Sequence, residues 1–280
     1  MQAAENFTHF PTWQVIHATA VGSAHLNSGL PCQDAAGWRL LPSGILAIAL
    51  ADGAGSAIQA ETAASLAIAE ALESLGNSPA NQTPEDMDAW STAIQQAFFT
   101  AREAILKQAA DAGLEPHDYA TTLTCLVADS DGVIFGQVGD GALVARTPRG
   151  DLFTLARPQR GAYANETLFL TMPEAIERAE FQAVELDLAG LAVMSDGLLR
   201  LALQLPGYQP HTPFFTPLWA FAARAGSDEL AGLQLAQFLA SERVCARTDD
   251  DKSLVIAVLP GYDPHLPAVD ADPLITGTEG

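Results

Sequence analysis

The chain has 280 residues, of which 49% are hydrophobic and 17% charged, so it holds enough apolar material for one large domain or two small ones. Its 13 Lys and Arg stand against 34 Asp and Glu, a formal net charge of −21. That balance excludes a general grip on the phosphate backbone of nucleic acid and argues against docking on an anionic membrane, whereas it favours solubility and the capture of cations.

In chain order, residues 1–12 are polar around Pro11 and read as a flexible N-terminus. Residues 13–260 read as one domain, and 261–280, rich in Pro, Asp and Gly, as a disordered tail. Trp13–Ala20 mixes β-branched and aromatic residues and predicts a strand. Residues 22–33 predict a loop ending at Asp34, and 45–51 predict the next strand. Ser56 is a candidate N-cap for a helix over about 57–75, with Ile68, Leu72 and Leu75 on one face. A second helix carries the stripe Trp90, Ile94, Ala97, Ala101 and Ile105 and ends near Gly113. Strands at about 120–128 and 133–138 flank Asp129-Ser130-Asp131-Gly132, a hairpin signal. Ala142–Arg146 and Asp151–Leu155 predict another pair. Residues 157–180 look irregular, and Phe181–Leu188 and Leu191–Met194 predict strands joined at Ala189-Gly190. Residues 214–241 predict two helices split at Gly226-Ser227-Asp228, with Ser227 as a cap, and Leu254–Leu259 predicts the last strand. Helix pair, strand run, helix pair, strand is not the alternation of a parallel βαβ sheet. It predicts an α+β domain with helix pairs on antiparallel sheets.

The cysteines Cys32, Cys125 and Cys245 form no CxxC pair, which suits a reducing compartment. No basic segment followed by an apolar stretch opens the chain, and the apolar runs break short of a membrane span, so a cytoplasmic location is expected.

Aspartates cluster at the ends of apolar runs. Leu46–Ala51 leads into Asp52-Gly53, Val133–Val138 into Gly139-Asp140-Gly141, and Leu191–Met194 into Ser195-Asp196-Gly197, while Asp249-Asp250-Asp251 precede the last strand. A short apolar run bounded by turn residues reads as a buried strand. Carboxylates converging at such ends repel one another and take up protons, unless hard cations neutralise them. Asp34, Asp52, Asp196 and Asp250, from four separate segments, could together hold two Mn²⁺ or Mg²⁺ ions. A water between such ions attacks phosphorus. Gly53 and Gly197 suit turns that let a carbonyl approach a cation. Zinc does not fit, because the chain has no His/Cys cluster of zinc spacing. Taken singly, each Asp-Gly is a common turn dipeptide; the joint placement is what points to a site.

Other chemistries lack their residues. The chain has no GxSxG elbow, no Walker-type GxxxxGK[ST] and no GxGxxG after a strand. Cys32, two residues before Asp34, is a candidate nucleophile with no supporting histidine nearby in sequence, and Cys125 reads as a packed small hydrophobe. His17 reads as packing, and His117 and His211 sit in loops without a visible partner. His25, in the loop before Asp34, is either a surface residue or a contact for a substrate phosphate.

In order along residues 15–260, these motifs resemble the metal-dependent Ser/Thr protein phosphatases of the protein phosphatase 2C-like family. The matching blocks are G-S-A-H…P-C-Q-D-A (Gly22 to Ala35), A-D-G-A-G-S (51–56), A-T-T-L-T (120–124), G-Q-V-G-D-G (136–141), V-M-S-D-G-L (193–198) and D-D-K-S-L-V-I (250–256). Gln33-Asp34 and the segment 161–171, GAYANETLFLT, resemble a bacterial branch with a Gln-Asp first motif.

The resemblance implies a four-layer αββα sandwich, with two antiparallel β-sheets flanked by helix pairs. It also implies hydrolysis of phosphoserine or phosphothreonine by a water activated between two Mn²⁺ or Mg²⁺ ions. Asp52 would bridge both metals and the Gly53 carbonyl would ligate one. Asp196 and Asp250 would hold the first metal, Asp34 would act through water on the second, and Asp140 would match a weaker third-metal aspartate. Arg200 stands where the family often has another Asp, which argues against a third ion. His25 replaces the usual phosphate-binding Arg, whose role an Arg in 157–160 could fill. Ala54 replaces a His common in animal members, which leaves the acid for the leaving group unassigned, and Gln33 replaces the commoner Glu. The implied partner is a phosphoprotein, a Ser/Thr kinase or its targets, bound by a monomer in cytoplasmic signalling. The alternative is a non-catalytic regulatory domain of the same fold that binds a phosphoprotein or kinase partner.

Overall fold

Strand β3 (Leu46–Asp52) has no polar alternation because both of its faces are buried. Leu46, Ile48 and Leu50 enter one apolar cluster, and Ala47, Ala49 and Ala51 enter another. The same split occurs on β12 (Lys252–Val258), where Val255 and Ala257 face one cluster and Leu254, Ile256 and Val258 the other. A strand covered on both faces belongs to an inner layer, and these two belong to different sheets.

The computed structural model describes residues 13–159, 167–225 and 229–259. The expectations for residues 1–12, for Ser227 as a cap, for 261–280 and for most of the segment 161–171 lie outside the described residues. One five-stranded sheet runs in the order β2 (Asp34–Leu40), β3, β4 (Leu123–Ala128), β5 (Gly132–Val138) and β8 (Glu180–Glu185). The other runs β1 (Gln14–Ala20), β12, β9 (Gly190–Met194), β6 (Ala142–Arg146) and β7 (Leu152–Ala156). Every neighbouring pair is antiparallel. A small ribbon of β10 (Leu203–Gln204) and β11 (Gln209–Pro210) sits apart.

Short helix α1 (Ser23–Ser28) follows β1. Helices α2 (Ala60–Gly76) and α3 (Met87–Ala112) cover the outer face of the first sheet. After α4 (Ala175–Arg178) and α5 (Leu199–Ala202), helices α6 (Thr212–Ala225) and α7 (Glu229–Leu239) cover the second sheet, and α8 (Glu242–Cys245) leads to β12. The result is the expected αββα sandwich, with one core between the sheets and one under each helix pair.

The first helix layer fits by size. Ala63, Ala64, Ala67 and Ala71 of α2 share a fully buried cluster with the alanines of β3, so the helix can lie close to the sheet. The stripe Trp90, Ile94, Ala97, Ala101 and Ile105 of α3 is buried as its spacing predicts. Asp86 caps α3 by accepting from the Ala89 N–H at 3.0 Å, and Gly113 ends it with φ +68°.

Four local expectations change. Residues 23–28 form α1 rather than loop; none of its residues is buried, so no apolar stripe announced it. Asp34–Leu40 is a strand, an edge strand whose second half is partly exposed. Ser56 does not cap α2. The N-cap is Gln59, without a side-chain bond, after a turn in which the Ala57 N–H donates to the Ala54 carbonyl. The strands either side of Ala189 are not partners: β8 pairs with β5, while β9 lies between β12 and β6. The chain crosses between sheets there, tied by Leu188 N–H to the Ser130 carbonyl and Ala189 N–H to the Arg146 carbonyl.

Candidate active site

Register brings the acidic residues together. Because β2 and β3 are antiparallel, the start of one lies beside the end of the other, and Asp34 pairs with Asp52. In the second sheet Met194, the last residue of β9, pairs with Leu254 near the start of β12 and with Ala142 at the start of β6. Asp196, Asp250 and Asp140 therefore project from the same edge of the sandwich. They meet at a cavity of about 220 Å³ lined by Asp52, Gly53, Asp140, Asp196, Asp250 and Asp251, with His25, Thr122, Thr167 and Phe169 on its walls.

Hydrogen bonds across the two sheets fix this edge. Buried Ser195 donates to Asp34 Oδ2 at 2.7 Å and accepts from the Ser253 N–H at 2.9 Å, linking β2 to β12. Thr122 Oγ1 accepts from the Asp52 N–H at 2.9 Å, and Thr121 Oγ1 donates to the Asp52 carbonyl at 3.0 Å. Gln137 Nε2 donates to the Gly139 and Gly141 carbonyls at 3.2 and 2.8 Å, bracing the turn that carries Asp140, and Thr167 Oγ1 donates to Asp140 Oδ2 at 2.8 Å. Fully buried Lys252 donates to the Asp250 carbonyl at 2.9 Å and the Val21 carbonyl at 3.4 Å, tying the acidic segment to the end of β1. Asp251 is 3% exposed and accepts from the Gly22 and Gln33 N–H groups, each at 2.6 Å, and from His25 Nδ1 at 2.9 Å.

Two glycines are required by close approach rather than by dihedral freedom. A Cβ on Gly53 would stand 2.7 Å from the Ala60 carbonyl oxygen, and one on Gly197 would stand 2.0 Å from that of Asp251. Neither has a positive φ. The sequence-level reason for these glycines, a turn conformation, gives way to backbone crowding.

Convergence raises the carboxyl pKa values. Burial lifts Asp34 to about 7, and the charges of Asp251 and Asp196 add to it while the Ser195 hydrogen bond opposes it. Asp196 rises to about 6, by burial first and then by the charges of Asp140 and Asp250. Asp52 is pushed well above the usual carboxylate range by burial, then by the charges of Asp34, Asp196 and Asp140. Asp140 is raised by burial as well. Asp34 Oδ1 and Asp196 Oδ1 are buried without a hydrogen-bond partner. Among the described residues no three His, Cys, Asp or Glu side chains surround one point at ligating distance. A hard cation here would thus take much of its coordination from water, which suits Mg²⁺ and its relatives. The all-oxygen donor set and the two orphaned oxygens fit such an ion.

Asp52, Gly53, Asp140, Asp196, Asp250 and His25, all singled out in the sequence, line the cavity. Asp34 does not. It lies behind, 8% exposed, and reaches the other groups through Ser195 and its charge. Arg157 is exposed and off the cavity wall, and Arg160 lies outside the described residues, so His25 is the sole nitrogen-bearing side chain on the described wall. Burial and the charges of Asp34 and Asp251 push the Cys32 thiol up to about 12, which disfavours the thiolate a nucleophile needs. Asp251 and Ser195 brace this edge and were not singled out in the sequence, although each adjoins a named aspartate. Their roles depend on partners 161 to 229 positions away.

This fold and site define a class: a two-sheet sandwich that gathers carboxylates at one edge. A family model described as "Protein phosphatase 2C" matches residues 21–240. The chain is 34% identical over 253 residues to serine/threonine-protein phosphatase 3 of Escherichia coli (strain K12), spanning 88% of this chain and 98% of that protein. It also resembles the crystal structure of a bacterial serine phosphatase, with TM-score 0.63 at 14% identity over 89% of this chain and 98% of that one. A serine/threonine phosphatase from Staphylococcus aureus gives TM-score 0.60 at 15% identity over 93% and 99%. The chain belongs to the protein phosphatase 2C family.

Proposed function

We propose that this protein hydrolyses phosphoserine and phosphothreonine esters on proteins with the help of two Mn²⁺ or Mg²⁺ ions. The observation that carries the reading is the convergence of Asp52, Asp140, Asp196 and Asp250 from both sheets on one small cavity. Bound there, the cations would lower the pKa of a water and stabilise charge on the phosphoryl group. Asp52 and the Gly53 carbonyl, with Asp196 and Asp250, would hold them; Asp34 would act on the second ion through water. Asp140 stands where a third, weaker ion would bind, and exposed Arg200, in place of an acid four residues after Asp196, argues against that ion. A cavity of about 220 Å³ suits a phosphoryl group on a short side chain. His25 supplies a contact to that group.

The substrate is therefore a phosphoprotein, a Ser/Thr kinase or a target of one, met by a monomer in the cytoplasm. No helix of the described residues is long and apolar enough to cross a membrane.

The test is release of phosphate from a phosphothreonine peptide with Mn²⁺ or Mg²⁺, in Asp52→Asn and Asp196→Asn. A loss of several kcal/mol in transition-state stabilisation predicts a fall of about 10²-fold or more in each. Wild-type turnover retained in either variant would overturn the assignment. A protein with no turnover and no pair of Mn²⁺ sites in titration would instead be a non-catalytic binding domain.

A further inference from the structure

We propose that His25 is the acid that protonates the departing serine or threonine oxygen, and that Asp251 is its positioning residue. This rests on the phosphoester-hydrolysis reading and gives the His25 contact a direction.

The geometry comes first. Asp251 Oδ2 lies 2.9 Å from His25 Nδ1. The same carboxylate is fixed by two backbone N–H groups, those of Gly22 and Gln33, at 2.6 Å each. A carboxylate only accepts, so Nδ1 carries the hydrogen of this bond. The ring is therefore held in one orientation, and Nε2 is the free nitrogen. His25 lines the cavity with its side chain 15% exposed, whereas Asp251 is 3% exposed. Nε2 stands 4.0 Å from where a Gly55 Cβ would be, as does Gln33 Oε1, so neither Gly55 nor the short Ala54 side chain screens it.

The chemistry follows from what else lines the cavity. Cleaving an alkyl phosphate leaves an alkoxide, a poor leaving group unless a proton reaches it in the transition state. The remaining polar side chains on the described wall are the carboxyls Asp52, Asp140, Asp196 and Asp250, which the proposed function commits to cations, and the hydroxyls of Thr122 and Thr167. Imidazole is the one nitrogen acid present. In the step, the oxygen of a water forms a bond to phosphorus. The bond from phosphorus to the ester oxygen breaks, and its electron pair stays on that oxygen. The reacting ring is the imidazolium, with hydrogen on both nitrogens; its Nε2 proton moves to the same oxygen, leaving the neutral ring with its hydrogen on Nδ1 and giving the free hydroxyl and inorganic phosphate. Solvent returns a proton to Nε2, equivalent to the one lost by the attacking water. Asp251 keeps the ring aimed, as a base-orienting carboxylate does.

The experiment compares two leaving groups at saturating Mn²⁺: a phosphothreonine peptide, which needs the proton, and p-nitrophenyl phosphate, whose phenolate departs without it. In His25→Gln the ratio of kcat on the peptide to kcat on the aryl ester falls about 10²-fold. In Asp251→Asn, where the one amide oxygen can still accept from the Gln33 N–H but the Gly22 N–H loses its carboxylate acceptor, the same ratio falls about tenfold, with little change in KM. NMR of the ring nitrogens in the wild-type protein shows the hydrogen of the neutral ring on Nδ1. Equal losses on both esters, or a rise in KM alone, would mean a structural or phosphate-gripping role and overturn the proposal. Should His25→Gln not fold, Asp251→Asn decides by the same ratio. Absence of turnover on either ester by the wild-type protein would instead sink the phosphatase reading itself.

Discussion

Replacing Asp34 by Asn should flatten the pH dependence of folding stability in the metal-free protein. The Asp34 carboxyl is raised from 3.8 to about 7, chiefly by burial. A raised carboxyl binds its proton more tightly in the folded than in the unfolded state. Its contribution to stability is therefore complete below pH 4 and is lost as pH climbs toward 7. A shift of about 3 units corresponds to an upper limit of about 4 kcal/mol. At roughly 2–4 °C per kcal/mol for a chain of this size, Tm should fall by on the order of 10 °C between pH 5 and pH 8. Asn keeps the shape and the acceptor for the Ser195 hydroxyl but cannot ionise. The assay is thermal unfolding in chelator across that range for both proteins. The variant should lose most of the slope and keep the smaller part due to Asp196, which is raised to about 6. Added Mn²⁺ should reduce the wild-type slope, because a cation favours the ionised carboxylates. Identical slopes in the two proteins, or a wild-type Tm that rises with pH, would show that Asp34 is not held protonated by its burial.

Two further outcomes test the scaffold. Gly197→Ala puts a methyl 2.0 Å from the Asp251 carbonyl oxygen, so the β9 and β12 ends must separate; a loss on the order of 3 kcal/mol or more is expected in denaturant unfolding, and a near-neutral result would refute that contact. Cys32, with its thiol pushed up to about 12, should react with iodoacetamide at pH 8 roughly 10³-fold more slowly than an unperturbed thiol; peptide mapping that finds Cys32 modified as fast as Cys245 would contradict its burial beside Asp34 and Asp251.

Much of the architecture was legible in the residues themselves. Strands β3, β4, β5, β9 and β12 are covered on both faces, so each is a predominantly apolar run that needs no neighbour to be recognised. Helix α3 displays its stripe at 3.6-residue spacing and ends at Gly113 for a purely local reason. The acidic residues were legible too, because a carboxylate at the end of a buried strand is costly without a purpose. Elements with weak burial were not: α1 buries nothing, and β2 is a half-exposed edge strand. Only the tertiary structure decided which ends meet. Antiparallel register sets Asp34 beside Asp52 and Met194 beside Leu254, and the crossing at Ala189 sends β8 and β9 to different sheets. It also decided that His25 faces Asp251 across 226 positions and that Ser195 reaches Asp34 across 161. Periodicity and capping act within a few residues and are written in the local sequence, whereas a hydrogen bond between distant segments depends on how whole sheets stack.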